Sequence, residues 1–589
     1  MRRSLAFSLS TIALSLAFAG TTGCGGGSGQ GTGTVTAPAS ITSFVASQAT
    51  ITAGQSSSLT GVFSGGTGVI TPGNLSVTTG VAVSVSPAKT TTYTLTVTPA
   101  SGTAVTSTAT VTVGSSQTTV TVDPSSPGIP VTDQLLGMNM AAWYDLVANQ
   151  SAIVDAFQTA GIKAVRWPGG SWSDVYHWQT NSNCQNLPYG GGTPDSNDVF
   201  SNFVNDIAVP AGLDVALTAD YGTNPACNGG GEPSEAAAWA TAALADGITV
   251  SHMTVGNEVY GSGWEEDLHS TPNDPATYAA AVVGASGYYQ SIKAASPKTL
   301  VGVVVEGDDV DGGWDNTVLA NAKGSYDFVE FHYYPQTPGQ ENDAALVQRL
   351  APNLTTDLNT VKAELAKWGT PDTPIYVGEM GSVYTNPGKQ SMSITQALFA
   401  GQILGEMMNA GVSRATWWIG FGGCEDSASG TGANFSSSLY GWQDFGGYMV
   451  FSDGLPEYDC ENEQLQAGTL LPTARAYQLF SSIAVNGESV LTPAVAGDTT
   501  DVRAYAATNN GGTALFIFNT NQTTSQPITV TVSGQSTSSS VTFTTYDKAL
   551  YDQSQTNLWP APTTQSLGQQ TLPLTLTLTP WSMNLIVIK

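Results

Sequence analysis

Eight short apolar runs alternate with alanine-rich stretches of helical pattern between residues 130 and 484, and this alternation restricts the possible folds more than any other feature. The runs are LLGMNM, KAVRWPG, DVALTAD, HMTVGNE, LVGVVVEG, DFVEFHYY, PIYVGEM and RATWWIGF. The helical stretches are SAIVDAFQTAG, SEAAAWATAALA, DPATYAAAVVGASGYYQSIKAA, DLNTVKAELAKW and ITQALFAGQILGEMMNAG. Eight strands that alternate with helices predict a (β/α)8 barrel of the α/β class. A doubly wound sheet alternates in the same way, but no phosphate-binding glycine loop follows the first run.

Polar and aromatic side chains lie at the carboxyl ends of these apolar runs. In a (β/α)8 barrel the chemistry takes place at that end of the strands, so we expect these side chains to share one mouth of the barrel. They are Asn139, Arg166, Asp220, Asn257, Glu258, Glu306, His332, Tyr334, Glu379 and Trp418.

The segments that flank the barrel, which we place at residues 118–484, have a different pattern. Residues 38–114 alternate apolar and hydroxyl side chains with a period of two, which predicts an N-terminal β-sandwich that resembles bacterial immunoglobulin-like modules. We interpret this module as a spacer, because Tyr93 is its only tyrosine and it has no tryptophan on which a sugar could stack. Residues 485–589 return to strand patterns and predict a C-terminal β-sandwich, which the strand at 118–123 could join.

The N-terminus and the charge of the chain bear on its location and partners. Residues 1–24 combine two arginines, an apolar stretch and small residues before Cys24, and they resemble a bacterial lipoprotein signal followed by a glycine-rich linker at 25–37. We therefore expect an exported protein, lipid-anchored at the bacterial cell surface or outer membrane; cleavage of an ordinary signal, with secretion, is the alternative. The net charge of −28 disfavours nucleic acid as a partner, so the membrane is expected to be contacted only through the lipid.

Cysteine usage is consistent with export. Apart from Cys24 the chain has Cys184, Cys227, Cys424 and Cys460, an even number that suggests two disulfides with three possible pairings. We expect the local pairs, Cys184 with Cys227 and Cys424 with Cys460. The chain has four histidines and no CxxC motif, so we expect neither a structural metal site nor a cofactor.

Two glutamates follow the fourth and seventh predicted strands. TVGNEVYG places Asn257 and Glu258 at the end of strand four, and IYVGEMGS places Glu379 at the end of strand seven. These strands face each other across a barrel mouth, so both carboxyl groups can point into one cleft. Hydrolysis of a glycosidic bond requires such a pair, one to protonate the leaving oxygen and one to attack the sugar or activate water.

On these motifs the region from 130 to 589 resembles the clan A glycoside hydrolases, and most of all the α-L-arabinofuranosidases of family 51, with relatives in families 39, 30 and 79. The resemblance implies that Glu258 is the acid/base and Glu379 the nucleophile of a retaining enzyme. RWPGGSW resembles an Arg-Tyr-Pro-Gly-Gly-Asn motif of these enzymes, with Trp167 in place of tyrosine and Ser171 in place of asparagine. We accordingly expect Arg166 beside Glu379, keeping its carboxylate ionised, whereas a salt bridge that only holds the barrel together is the alternative.

Other strand-end residues are expected to bind substrate. His332 and Tyr334 share one face of strand six, and the resemblance places the Tyr334 hydroxyl near the nucleophile; a core tyrosine is the alternative. We expect Asn257 to bond the sugar 2-hydroxyl, with Trp418 stacking on the sugar and Asn139 also in the binding site. Trp172, Trp178 and Trp264 are further candidates for stacking.

Three other functions remain open from the sequence. The first is a clan A hydrolase of another specificity, such as a β-xylosidase, a β-glucuronidase or an endo-glycanase, because the loop GNEVYGSGWEEDLH departs from family 51. A glycan-binding surface lipoprotein on an inactive barrel is disfavoured by the presence of both glutamates. A purely structural adhesin would explain the N-terminal module but not the polar residues at the strand ends.

Overall fold

The structure is a computed structural model that describes residues 38–52, 55–114, 117–144, 147–187, 193–307, 313–422, 424–426, 445–454, 465–535, 539–556 and 559–589. The predicted residues Cys24 and Cys460 and the side chain of Cys424 lie outside this description. The chain divides into two compact units, Met1–Gly114 and Ser115–Lys589.

The first unit is a small sandwich of two β-sheets, as the alternating pattern predicts. One sheet has the order β1-β3-β6 and the other the order β2-β8-β7-β4-β5. Leu59, Ile70 and Leu95 lie in the core of the sandwich with no exposed surface. The strands are β1 Ser40–Ala46, β2 Thr50–Thr52, β3 Ser57–Ser64, β4 Thr67–Thr71, β5 Leu75–Val77, β6 Ala82–Val85, β7 Thr91–Thr98 and β8 Val105–Gly114.

The centre of the second unit is a closed barrel of parallel strands, which confirms the predicted fold class. Strand β9 (Thr118–Val122) precedes eight strands that pair in chain order, and the ring closes where the Asn139 N–H donates to Trp417 O at 2.8 Å. These eight strands are nearly buried on both faces, as expected for a sheet covered by helices. Barrel strands one to eight are β10 Gly137–Asn139, β11 Ala164–Trp167, β12 Asp214–Ala219, β13 His252–Val255, β14 Leu300–Val304, β15 Phe328–Tyr333, β16 Ile375–Met380 and β17 Arg414–Ala415.

Helices connect the barrel strands. One predicted stretch is divided into two helices, and the helices at 200–211, 314–321 and 472–480 were not predicted. The stretch DPATYAAAVVGASGYYQSIKAA forms two helices, because Gly284 takes a φ of +94° between them. An unpredicted helix, α2, consists of Phe200–Asn202, Phe203–Ala208 and Val209–Ala211, of which the middle part has π-helical geometry. The others are α1 Gln150–Ala160, α3 Pro233–Ala245, α4 Pro275–Val282, α5 Tyr288–Ala295, α6 Trp314–Asn321, α7 Asp343–Ala345, Leu346–Leu350 and Ala351–Lys367, α8 Ile394–Ala410, α9 Pro472–Phe480 and α10 Lys548–Gln553.

The C-terminal part forms two further sheets, which agree with the predicted β-sandwich. The six-stranded sheet has the order β18-β20-β21-β26-β23-β24, and the four-stranded sheet has the order β19-β9-β22-β25. Strand β9, from the segment that precedes the barrel, therefore lies within this sandwich. The strands are β18 Val490–Leu491, β19 Ala494–Ala496, β20 Val502–Asn509, β21 Gly512–Asn519, β22 Gln526–Val532, β23 Ser539–Asp547, β24 Thr563–Gln570, β25 Leu574–Leu578 and β26 Ser582–Ile588.

Helix α8 packs the barrel against this sandwich. A Cβ atom at Gly401 would lie 2.9 Å from Phe518 Cζ, and a Cβ atom at Gly405 would lie 2.3 Å from Tyr505 Cγ. Only glycine therefore allows the aromatic side chains of β20 and β21 to approach the helix so closely. The face of the six-stranded sheet that carries Tyr505, Phe516 and Phe518 points away from the four-stranded sheet and shares one continuous hydrophobic core with the barrel.

Among the described residues, we find no helix whose length and hydropathy would allow it to cross a membrane.

Candidate active site

Glu258 and Glu379 meet at one mouth of the barrel, where both carboxylates approach the same ring nitrogen of His332. His332 Nδ1 lies 2.6 Å from Glu258 Oε1 and 3.8 Å from Glu379 Oε2. One carboxylate oxygen of each glutamate lies within 4.8 Å of the other. The side chains of Glu258 and Glu379 keep 17% and 8% of their surface exposed, so both border solvent.

Arg166, at the end of barrel strand two, is completely buried beneath the two glutamates and contacts four acceptors. Its Nη1 donates to Asn139 Oδ1 at 2.9 Å and to Glu379 Oε1 at 3.1 Å. Its Nη2 donates to Asn257 Oδ1 at 2.8 Å and lies 3.0 Å from Glu330 Oε1. The guanidinium therefore connects side chains of barrel strands one, six and seven, and of the loop after strand four, to strand two.

Glu330, which the sequence reading missed, is the second carboxylate of this cluster. Its Oε1 contacts both Arg166 and His332 Nε2, the latter at 3.2 Å, and Thr254 Oγ1 donates to its Oε2. Burial alone would raise the pKa of the Glu330 carboxyl, but Arg166 and His332 outweigh burial and lower this pKa below its ordinary value. The available signal was its position two residues before His332, which places both side chains on one face of the strand.

An irregularity in strand pairing makes room for this carboxylate. Phe331 pairs with Val377 and His332 pairs with Glu379, so Gly378 is the extra residue of a β-bulge in barrel strand seven. A Cβ atom at Gly378 would lie 2.1 Å from Glu330 Oε1. The bulge thus brings His332 beside Glu379, and the glycine leaves space for Glu330 underneath.

Hydrogen bonds hold both oxygens of Glu379. Arg166 donates to Oε1, and the Tyr334 hydroxyl donates to Oε2 at 2.8 Å. Burial raises the pKa of Glu379, and the nearby Glu258 raises it further, whereas His332, Arg166 and Tyr334 lower it. Arg166 lowers the pKa of Glu379, as expected from the sequence. The pKa is nevertheless raised overall, because burial outweighs the two cations.

His332 carries a positive charge at neutral pH. Burial alone would lower the pKa of its imidazole, but Glu379 and Glu258 raise this pKa to about 10. The site therefore holds two cations, Arg166 and His332, among three glutamates.

Asn139 and Asn257 are both buried beneath the glutamates. Asn139 Nδ2 donates to the carbonyl oxygens of Gly378 at 2.9 Å and of Thr416 and Trp417 at 3.3 Å. The structure therefore places Asn139 behind Arg166, with no exposed surface, rather than at the surface of the cleft. Asn257 Nδ2 points to Glu265 Oε1 at 3.4 Å.

Three half-buried tryptophans form a cluster next to the site. The ring of Trp143 lies 4.6 Å from that of Trp172 and 6.2 Å from that of Trp418, measured between ring centroids. Trp143 was missed, because it follows the first strand in a stretch without periodic pattern. Of the other candidates for stacking, Trp178 packs on Trp239 against the barrel core, and Trp264 is 45% exposed.

A disulfide joins the loops that follow barrel strands two and three. The bond links Cys184 and Cys227, whose Cα atoms are 5.5 Å apart, and it confirms this predicted pair. Beside it, His177 Nδ1 lies 3.2 Å from Glu235 Oε1 and 3.6 Å from Asp220 Oδ2, a set whose chemistry could suit a metal ion. His177 already pairs with both carboxylates.

The fold is a closed (β/α)8 barrel with an attached β-sandwich, and its mouth holds one glutamate from the loop after barrel strand four and one from barrel strand seven. No protein-family model and no curated protein matches the chain, but solved structures do.

The chain is similar to a family 51 arabinofuranosidase from Xanthomonas axonopodis pv. citri, with 19% identity and a TM-score of 0.60 over 80% of this chain and 100% of that one. It is similar to the α-L-arabinofuranosidase of Thermotoga maritima at 16% identity and a TM-score of 0.57, over 80% and 99% of the two chains. A family 44 xyloglucanase from Paenibacillus polymyxa matches at 14% identity and a TM-score of 0.54, over 80% and 100%. The resemblance to family 51 is thereby confirmed at the level of the fold.

Proposed function

We propose that the chain is a retaining glycoside hydrolase in which Glu258 is the acid/base and Glu379 the nucleophile. The observation that carries this proposal is the separation of the two carboxylates, whose oxygens approach within 4.8 Å of each other at the barrel mouth. Retaining glycosidases hold their carboxyl groups about 5–5.5 Å apart, whereas inverting enzymes need about 6.5–9.5 Å to admit a water molecule.

In the first step a Glu379 oxygen attacks the anomeric carbon while Glu258 gives its proton to the glycosidic oxygen. The bond to the leaving group breaks, and a covalent glycosyl-enzyme forms. Arg166 and Tyr334 hold the two Glu379 oxygens, which orients the carboxylate toward the sugar. The cationic His332, 2.6 Å from Glu258, stabilises the negative charge that Glu258 acquires when it loses its proton.

In the second step Glu258, now a carboxylate, removes a proton from water. The water oxygen bonds to the anomeric carbon, the bond to Glu379 breaks, and both glutamates return to their starting states. Two inversions at the same carbon give a product with the configuration of the substrate.

For the substrate we propose an α-L-arabinofuranoside, such as a side chain of a plant or microbial polysaccharide. The RWPGGSW motif and the similarity of fold to two arabinofuranosidases support this choice. The half-buried rings of Trp143, Trp172 and Trp418 offer apolar faces on which a sugar could stack. The similarity to a xyloglucanase makes an endo-acting enzyme on a β-glucan backbone the second candidate.

A panel of 4-nitrophenyl glycosides tests the proposal. We expect hydrolysis of the α-L-arabinofuranoside, and ¹H NMR of the first product should show retained configuration. Glu379→Gln should abolish turnover of every substrate, and Glu258→Gln should slow the unsubstituted phenyl glycoside far more than the 4-nitrophenyl glycoside of the same sugar, because the poorer leaving group needs protonation. Activity only on xylosides, glucuronides or soluble xyloglucan would show that the proposed α-L-arabinofuranoside substrate is wrong. Full activity of Glu379→Gln would overturn the mechanism.

We also propose that the protein is exported and anchored through lipid on Cys24. The motif before Cys24 supports this, and the several acyl chains of a bacterial lipoprotein would bind a membrane firmly, whereas one chain binds only marginally. Labelled palmitate should appear on the protein in a bacterial host and disappear in Cys24→Ser. Label that persists in Cys24→Ser would refute the anchor.

A further inference from the structure

Asp174 is a buried carboxylate just behind the active site that the proposed chemistry does not use. It ends the short helix Gly170–Asp174, which follows Arg166 and barrel strand two, and it has no exposed surface. Its chain position gives no sign of a role, because it lies eight residues beyond the arginine in a loop without periodic pattern.

The Asp174 carboxylate binds the backbone of two other loops. Its Oδ1 accepts the N–H groups of Tyr221 at 2.9 Å and Gly222 at 3.1 Å, just after barrel strand three. Its Oδ2 accepts the N–H group of Asn257 at 2.8 Å, just after barrel strand four. One side chain thus ties together the ends of strands two, three and four.

Close packing indicates that this contact is built into the fold. A Cβ atom at Gly222 would lie 2.6 Å from Asp174 O and 2.9 Å from Asp174 Cβ, so a larger residue there would push the two loops apart. The N–H group that Asp174 Oδ2 accepts belongs to the peptide between Gly256 and Asn257, one residue before Glu258. Any displacement of that peptide therefore moves the acid/base.

We propose that Asp174 is a positioning residue that fixes the Asn257 peptide and thereby aims the Glu258 carboxyl at the leaving group. This inference rests on the proposed function of Glu258. Asp174 acts through the backbone and touches no substrate. Its loss should therefore affect proton donation more than attack by Glu379.

Asparagine cannot take over this role. Both carboxylate oxygens accept N–H groups, so in Asp174→Asn either orientation of the side-chain amide would set its NH₂ group against a backbone N–H. Asp174→Asn is therefore a nearly isosteric change that breaks the contact. Burial raises the pKa of Asp174 to about 7, against the three N–H groups, which lower it, so the assay is run at about pH 8 to keep Asp174 ionised.

The experiment compares leaving groups in the full chain. For Asp174→Asn we expect kcat/KM to fall about 10- to 100-fold on the phenyl glycoside of the sugar that the wild type cleaves best, because this leaving group needs protonation and a small misplacement of a reacting group has this effect. On the 2,4-dinitrophenyl glycoside of the same sugar, whose leaving group needs little protonation, the loss should stay below about threefold.

The matched control is Asp547→Asn in the C-terminal sandwich. Asp547 is also buried and accepts the N–H group of Leu550 at 2.9 Å and the hydroxyl of Thr579 at 2.8 Å. We expect this variant to lose stability and to retain both activities. If Asp174→Asn does not fold, Asp174→Ser leaves space for water to accept the freed N–H groups and should show the same selective loss.

Equal losses for both leaving groups, or no loss, would overturn the positioning role. Glu258→Gln separates this failure from failure of the proposed function. If Glu258→Gln shows the leaving-group preference and Asp174→Asn does not, only the positioning role is wrong. If Glu258→Gln lacks the preference too, the assignment of the acid/base is wrong.

Discussion

Replacing Arg166 by glutamine should destabilise the protein in a manner that depends on pH. The substitution removes the cation that contacts Glu330 and Glu379, and among the described residues it leaves His332 as the cation beside these two buried carboxylates. Removal of one partner of a buried ion pair lowers the free energy of unfolding by about 3–5 kcal/mol, because the other charge remains buried without its partner. We expect a loss of about 4 kcal/mol at about pH 8.

The sign of the pH dependence follows from the pKa values. In the wild type the pKa of Glu330 is lowered, so its contribution to stability is present above the unfolded pKa and is lost as the pH falls through the folded pKa. Without Arg166, burial should hold the pKa values of Glu330 and Glu379 above about 4.3, their value in the unfolded chain. Protonation then relieves the penalty, so the loss of stability should shrink toward about pH 4–5.

Urea denaturation at about pH 5 and about pH 8 measures this difference. A thermal melt is less sensitive, because a folded unit of this size loses only ~1 °C per kcal/mol. The control is Arg475→Gln, because Arg475 is also buried but donates to two neutral acceptors, Gln478 Oε1 and Trp559 O. The loss of stability in Arg475→Gln should not vary with pH. If Arg166→Gln also shows the same loss at both pH values, the reasoning is refuted.

Two further predictions concern the site and its rim. Tyr334→Phe removes a hydrogen bond that lowers the pKa of Glu379, so kcat should fall about tenfold and the acid limb of kcat/KM should move to higher pH; an unmoved limb in a pH–rate profile would contradict this. Replacing both Cys184 and Cys227 by serine removes a cross-link worth up to about 4 kcal/mol, and KM should rise while the barrel stays folded. Unchanged KM and unchanged melting curves would show that the disulfide does not shape the cleft.

The barrel was predictable because eight runs of the same kind repeat, so that an error in one run does not change the fold. The two glutamates at the ends of strands four and seven were also predictable. Glu258 and Glu379 each follow an apolar run in a fold whose chemistry is confined to one end of the strands.

Residues inside the runs or in irregular loops were harder to identify. Glu330 lies within an apolar run, and a β-bulge at Gly378 creates the space for it. No sequence pattern predicts this bulge. Asp174 works through backbone N–H groups of distant loops, and sequence does not record such contacts. Helix α2 was missed because Pro210 and polar side chains interrupt its apolar pattern.

The glycine pair of helix α8 has a consequence for how the protein unfolds. Phe518 and Tyr505 of the sandwich pack on Gly401 and Gly405 and cover one face of helix α8. Solvent reaches this face only if the sandwich is removed. A chain that ends after the barrel would expose an aromatic-sized groove on that helix, and a free sandwich would expose the rings that fill it. We therefore expect the barrel and the C-terminal sandwich to melt in one cooperative calorimetric transition, and a gene truncated between them to yield aggregated protein.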